Sequence, residues 1–260
     1  MRKSIGGILI VFVSAILIAG LAVFGQQREQ SMLEAQSERY ASRSSAGQPI
    51  ANAQSSSKAG KQTVKSQIGH NRSLTYFAMG DDIAAGHYTS TEKRSYQYLV
   101  ADSLHKKLGF KVRMTGVWRS GATIGTGGLP NVNRAIAQHP DVVTLQYGNN
   151  EQLVAGSSAT LFQSNLTEVV RNLREGLPKV KIILITPWTQ SASYQQAVVN
   201  VSKNTGTAVV NISPVHGEKN TSATASTNSW AGAVSGRWPN DSGNTKIASA
   251  IDRVVTKLYE

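Results

Sequence analysis

Between residues 74 and 258 short apolar runs alternate with amphipathic stretches, and this alternation restricts the fold more than any other feature of the chain. Residues 74–79, 110–115, 142–147, 180–186 and 208–212 are near-continuous β-type runs, the pattern of parallel strands buried on both faces. Residues 95–108 place Tyr98, Leu99, Ala101, Leu104 and Leu108 at helical spacing and stop at Gly109. Residues 161–173, 194–202 and 241–258 have the same character. Strand followed by helix, repeated, requires right-handed crossovers and predicts an α/β fold: a three-layer α/β/α, doubly wound parallel sheet of flavodoxin-like type. Ligands of such sheets bind beyond the carboxyl ends of the strands. The informative loops are therefore those after Met79, Thr115, Tyr147, Thr186 and Ile212.

The N-terminal part is different. Residues 5–25, from Ile5 to Gly25, carry no charge and would span roughly 30 Å as a helix, about the hydrocarbon core of a bilayer. Arg2 and Lys3 precede this run and no acid occurs before Glu29, so the positive-inside rule places the N-terminus in the cytoplasm and the remainder outside. The run is longer than a signal-peptide core, and Ala22-Val23-Phe24 puts an aromatic where a cleavage site wants a small residue. An uncleaved anchor is favoured over a cleaved signal. Residues 26–70 are rich in Gln, Ser, Ala and Lys; Gln27 to Tyr40 can continue as a helix for a few turns, whereas Ser42 to Gln67 carries too little apolar surface to offset the entropy of ordering. The expected organisation is an anchor at 1–25, an extracytoplasmic tether at 26–70 and a globular domain at 71–260.

The net charge of +12 is spread along the chain, which argues against a nucleic-acid groove and favours attraction to anionic lipid headgroups or an anionic cell-surface polymer. There is no cysteine, so disulfides, thiolate metal sites and a thiol nucleophile are excluded. No phosphate-binding loop, dinucleotide fingerprint or His-Glu-x-x-His motif is present, and no cofactor is expected.

Four segments occupy the strand ends: Gly80-Asp81-Asp82-Ile83-Ala84-Ala85-Gly86, Arg119-Ser120-Gly121-Ala122-Thr123, Tyr147-Gly148-Asn149-Asn150-Glu151, and Trp238-Pro239-Asn240-Asp241-Ser242-Gly243. In this order they resemble the SGNH, or GDSL-like, hydrolase family over nearly all of the globular part. The resemblance implies a serine ester hydrolase scaffold in which Gly121 and Asn150 take the positions of oxyanion-hole donors. It also places Asp82 at the nucleophile position, Trp238 at the histidine position and Ser235 at the acid position. Gly80, Asp81, Gly86, Gly148, Pro239 and Asn240 keep the framework, whereas Glu151 replaces the usual Asp.

All three triad positions are thus changed. An indole N–H donates a hydrogen bond but cannot accept a proton, and a carboxylate beside an oxyanion hole opposes the charge that develops there. The leading expectation is a membrane-anchored domain without conventional hydrolase activity. It would bind a cell-surface glycan, an acylated polymer or a protein through the remnant crevice. The rival is an active esterase or acyltransferase that uses Asp82 with His87 or His216, both in crevice-side loops, and a third reading is a tethered structural protein. His70, His105 and His139 read as surface residues. Asp81, Asp82 and Glu151 match no known metal loop, so no metal site is assigned. Tyr88, Trp118, Tyr147, Trp188 and Trp238 either wall the crevice or pack against neighbouring loops. Gly125-Thr126-Gly127-Gly128 reads as a flexible loop over the crevice.

Overall fold

The computed structural model describes residues 68–232 and 238–260. The expected anchor and most of the tether lie outside them, as does Ser235. Among the described residues no helix is long and apolar enough to cross a membrane.

Five strands, β1 (Ser73–Gly80), β2 (Lys111–Trp118), β3 (Val142–Gln146), β4 (Lys181–Ile185) and β5 (Ala208–Val210), form one sheet in the order β2-β1-β3-β4-β5. Every pairing is parallel. The helices are α1 (Asp82–Ala85), α2 (Tyr96–Lys106), α3 (Val132–Ala137), α4 (Ala159–Gly176), α5 (Ala192–Thr205), α6 (Ser213–His216) and α7 (Asp241–Tyr259). The chain reverses direction across the sheet between β1 and β3, so the crevice of a doubly wound fold opens beyond Gly80 and Gln146.

Alternation of side chains builds both faces. Leu74, Tyr76 and Ala78 of β1 join Ile183 and Ile185 of β4 in one core with Val100 and Leu104 of α2 and Ile247 and Ile251 of α7. Phe77, Met79, Val143, Leu145, Ile182 and Leu184 point the other way, onto Leu166, Val170 and Leu173 of α4 and Val198 and Val201 of α5. Strands buried on both sides must be apolar throughout, which is why the runs are so continuous.

The expected strands and long helices are present, with shifted ends. β2 runs on to Trp118 because it pairs with the whole of β1, from Ser73 opposite Lys111 to Gly80 opposite Trp118. β5 stops at Val210, paired only with Ile183–Ile185. The glycine-rich segment 125–128 is not a flexible loop. It lies in a π-helical turn, Ile124–Gly128, closed by a reciprocal capping box between Thr123 and Thr126, with Ile124, Gly127 and Gly128 buried. Composition suggested mobility, but the box satisfies the backbone donors that would otherwise need water.

Candidate functional site

The crevice is built from the ends of β1, β2 and β3. Asp81, completely buried, caps α1 by accepting the Ile83 N–H at 3.1 Å and the Asn149 amide at 2.8 Å. Gly86 ends α1 in the left-handed region, with φ of 61°. This tight turn presents Asp82 as the first residue of the helix, only 5% exposed.

Asp82 then accepts from three directions. Its Oδ2 receives the Gly121 backbone N–H at 3.0 Å and the Asn150 Nδ2 at 2.7 Å, and its Oδ1 receives the Ser120 hydroxyl. Gly121 has φ of 75°, a conformation that favours glycine and that turns its N–H inward. Asn150 also donates to the Ala122 carbonyl at 2.9 Å. Gly121 and Asn150, which the resemblance assigns to oxyanion-donor positions, thus converge as donors on Asp82, which it assigns to the nucleophile position. A site of this kind stabilises charge on a substrate oxygen; here a protein carboxylate holds those donors.

Glu151 does structural work beside them. It is 3% exposed and accepts the Ile124 N–H at 2.5 Å and the Gly148 N–H at 2.9 Å, pinning the π-helical turn to the end of β3. Burial raises its pKa while these hydrogen bonds pull the other way. Asp81, Asp82 and Glu151 each spend their oxygens on protein donors, and among the described residues no group of acids and histidines has a metal-holding arrangement.

Neither crevice histidine is bonded to Asp82. The His87 ring lies edge-to-face with Trp230 at 5.2 Å, and its pKa is lowered by burial against the opposing pull of Asp82 and Glu92. The His216 ring packs against Trp188 at 4.9 Å. His105 donates its Nδ1–H to the Phe110 carbonyl at 2.8 Å. Pro239 bridges to Ser222, and Asn240 caps α7 by accepting the Gly243 N–H at 3.0 Å while donating to the Asn220 and Ser222 carbonyls, both at 3.1 Å.

Of the five aromatics expected either to line the crevice or to pack, packing accounts for all. Tyr147, Trp188 and Trp238 are buried, and Tyr88 and Trp118 lie partly buried against the same core as Trp238. Trp238 stacks on Tyr88 with ring centres 6.0 Å apart. Trp230, which the sequence did not single out, is 41% exposed, and its indole donates to the Gly86 carbonyl at 2.8 Å. Asn149 was also missed, although it lies between two motif residues; it joins Asp81 to the Thr189 N–H, accepted at 3.1 Å. Beside Glu151 a cleft of about 200 Å³ is lined by Ile124, Val154, Leu161, Phe162 and Asn165, and Val154 and Leu161 are about half exposed.

The buried acids give the fold a pH dependence. Burial raises the pKa of Asp81 well above the ordinary carboxylate range, with the nearby Asp82 adding to it and the Asn149 hydrogen bond opposing. The folded state then binds a proton that the unfolded state has released, so this contribution is present at acid pH and lost as pH rises through the raised pKa. Glu151 acts in the same sense, and His87, its pKa lowered, in the opposite one. Chemical denaturation of the wild type and Asp81→Asn at several pH values between 4 and 8 isolates the effect. The wild type should lose stability relative to the variant as pH rises, and parallel curves would refute the assignment.

A family model described as the GDSL-like lipase/acylhydrolase family matches residues 78–245. No curated protein matches the chain. Solved structures with the same fold include a psychrotrophic esterase, EstA, from Pseudoalteromonas sp., at 17% identity and TM-score 0.57, covering 71% of this chain and 98% of that one. A lipase/acylhydrolase from Enterococcus faecalis gives 18% identity and TM-score 0.58, covering 71% and 96%. A two-domain esterase active on acetylated mannans gives 21% identity and TM-score 0.55, covering 75% and 52%.

Proposed function

Since the chain belongs to the GDSL-like lipase/acylhydrolase family, we propose that it is a membrane-tethered member that does not hydrolyse esters by the serine mechanism. Its crevice binds an acylated surface glycan instead. The observation that carries this reading is the Asp82 carboxylate seated on the Gly121 N–H and the Asn150 amide. Ester hydrolysis by a serine enzyme needs a hydroxyl nucleophile, a base to take its proton and free donors for the oxyanion. The nucleophile position holds an acid, the histidine position holds Trp238 packed in the core, and the donors are occupied.

Two features that flank the Asp82 site, one beside Glu151 and one beside Gly86, support a binding role. The half-exposed Val154 and Leu161 border a cleft suited to a short acyl group, and Trp230 offers an exposed indole of the kind on which sugar rings stack. A fold neighbour acts on acetylated mannans. The tether reading rests on the uncharged run at residues 5–25.

Full-length protein in detergent, incubated with short-chain activated esters, should turn over none above buffer. Turnover that disappears in Asp82→Ala would overturn the proposal.

A further inference from the structure

Basic residues scattered along the sequence are gathered by the fold at one end of the domain. Because all strands run parallel, Ser73, Lys111, Val142, Lys181 and Ala208 begin them at the same end. The returning helices finish there too, α2 at Lys106, α4 at Gly176, α5 at Thr205 and α7 at Tyr259. Tyr259 meets Phe110 at 5.1 Å and carries the Lys181 ammonium 4.8 Å over its ring, which fixes the end of α7 against the starts of β2 and β4.

Arg72, Lys111, Arg113, Lys179, Lys203 and Lys257 are all exposed at this end. Among the described residues none has an acidic partner: Arg72 reaches the Ile68 carbonyl and the Phe110 ring, and Arg113 reaches the Gln138 side chain and carbonyl. Of the acids nearby, Glu260 is exposed beside Tyr259, one carboxylate against six cations, and the others are engaged elsewhere. Asp141 accepts the Thr75 N–H, Asp252 pairs with Lys107 and Glu175 with Arg171. At the crevice end the cations are fewer: Lys93 and Lys219 are exposed, whereas Arg94 is paired to Asp241 and Lys246 to Glu218. Lys203 and Lys257 complement helix dipoles in the last turns of α5 and α7, but Arg72, Lys111, Arg113 and Lys179 lie on strands or loops where that explanation does not apply.

The chain also enters the domain here, Gly69 donating to the Leu108 carbonyl at 2.6 Å just before β1. We infer that this basic end docks on an anionic lipid surface, its lysines and arginines against phosphodiester headgroups, with the crevice directed away. The inference rests on the reading of residues 5–25 as an anchor, which holds the domain near a bilayer so that unpaired cations within a Debye length of the surface are drawn to it. A phosphate-rich polymer would be drawn by the same charges, but the entry of the chain at this end favours the lipid.

The chain has no cysteine, so full-length protein with a single fluorophore at Asn204→Cys, beside Lys203, or at Ala155→Cys, beside the crevice cleft, reports which end approaches the lipid. Reconstitution uses vesicles carrying a headgroup quencher, with or without phosphatidylglycerol. Flotation with neutral vesicles tests the anchor by itself. The label at 204 should be quenched only with phosphatidylglycerol and released by salt, while the label at 155 stays bright. Each basic side chain contributes about fivefold to partition, so Lys111→Glu, Lys179→Glu and Lys203→Glu together should reduce the docked fraction at least ~10-fold. Equal quenching at both positions, quenching indifferent to phosphatidylglycerol or salt, or capture of soluble polyphosphate without quenching on vesicles would each overturn the docking.

Discussion

Replacing Glu151 with alanine is expected to lower the thermal midpoint of the domain by roughly 5–15 °C, a cost of about 2–5 kcal/mol. The carboxylate is buried and accepts two backbone N–H groups, those of Ile124 and Gly148, which no other acceptor among the described residues reaches. Each orphaned buried donor costs about 1–3 kcal/mol, and the lost side chain adds a cavity. The damage should be local to the crevice, because these two hydrogen bonds tie the π-helical turn to the end of β3 and so position Gly121 and Asn150 on either side of it. Thermal unfolding followed by circular dichroism gives the midpoint, and a fall below about 2 °C would show that the turn is held by its capping box alone. Glu151→Gln keeps one acceptor but sets an amide N–H against the other donor, so it should lie between the wild type and the alanine variant.

The sheet was legible because its chemistry is redundant. A strand covered on both faces must be apolar at nearly every position, and β1, β3 and β4 announce themselves in that way. The short helices α1, α3 and α6 were not legible, since four to six residues hold too few periodic positions to register. Asp82, Gly121 and Asn150, which the family resemblance assigned to one crevice, do meet, with Gly121 and Asn150 each within hydrogen-bond distance of Asp82. What motif order could not supply was the direction of the interaction. The residues at donor positions bind the chain's own side chain, and that depends on Asp82 being long enough to reach Gly121 and Asn150 at 3.0 and 2.7 Å. Placement of charge in space is a separate matter from its spacing along the chain. Along the sequence the basic residues look evenly spread, but parallel strands and returning helices bring Lys111, Lys179 and Lys203 to one end.

Trp238→His is the second large effect, and it bears on whether an active site could be regained at this position. Trp238 is 6% exposed, stacks on Tyr88 at 6.0 Å and belongs to the core shared by α2, α7 and the adjacent sheet face. An imidazole fills far less of that volume and brings a polar nitrogen into it, so the expected loss is about 2–4 kcal/mol, or roughly 5–12 °C in midpoint. A position still shaped for a catalytic histidine would accept the ring with little loss, because the surrounding pocket would match its size and hydrogen-bonding needs. A midpoint within about 2 °C of wild type would therefore sink the packing account. Activity separates the two accounts further. Even with a histidine at position 238, Asp82 keeps its hold on the Gly121 and Asn150 donors, so the single variant should remain without esterase turnover. Adding Asp82→Ser removes the carboxylate from those donors, and the double variant should still unfold at the lower midpoint, because the volume lost beside Tyr88 is not recovered by a change at Asp82.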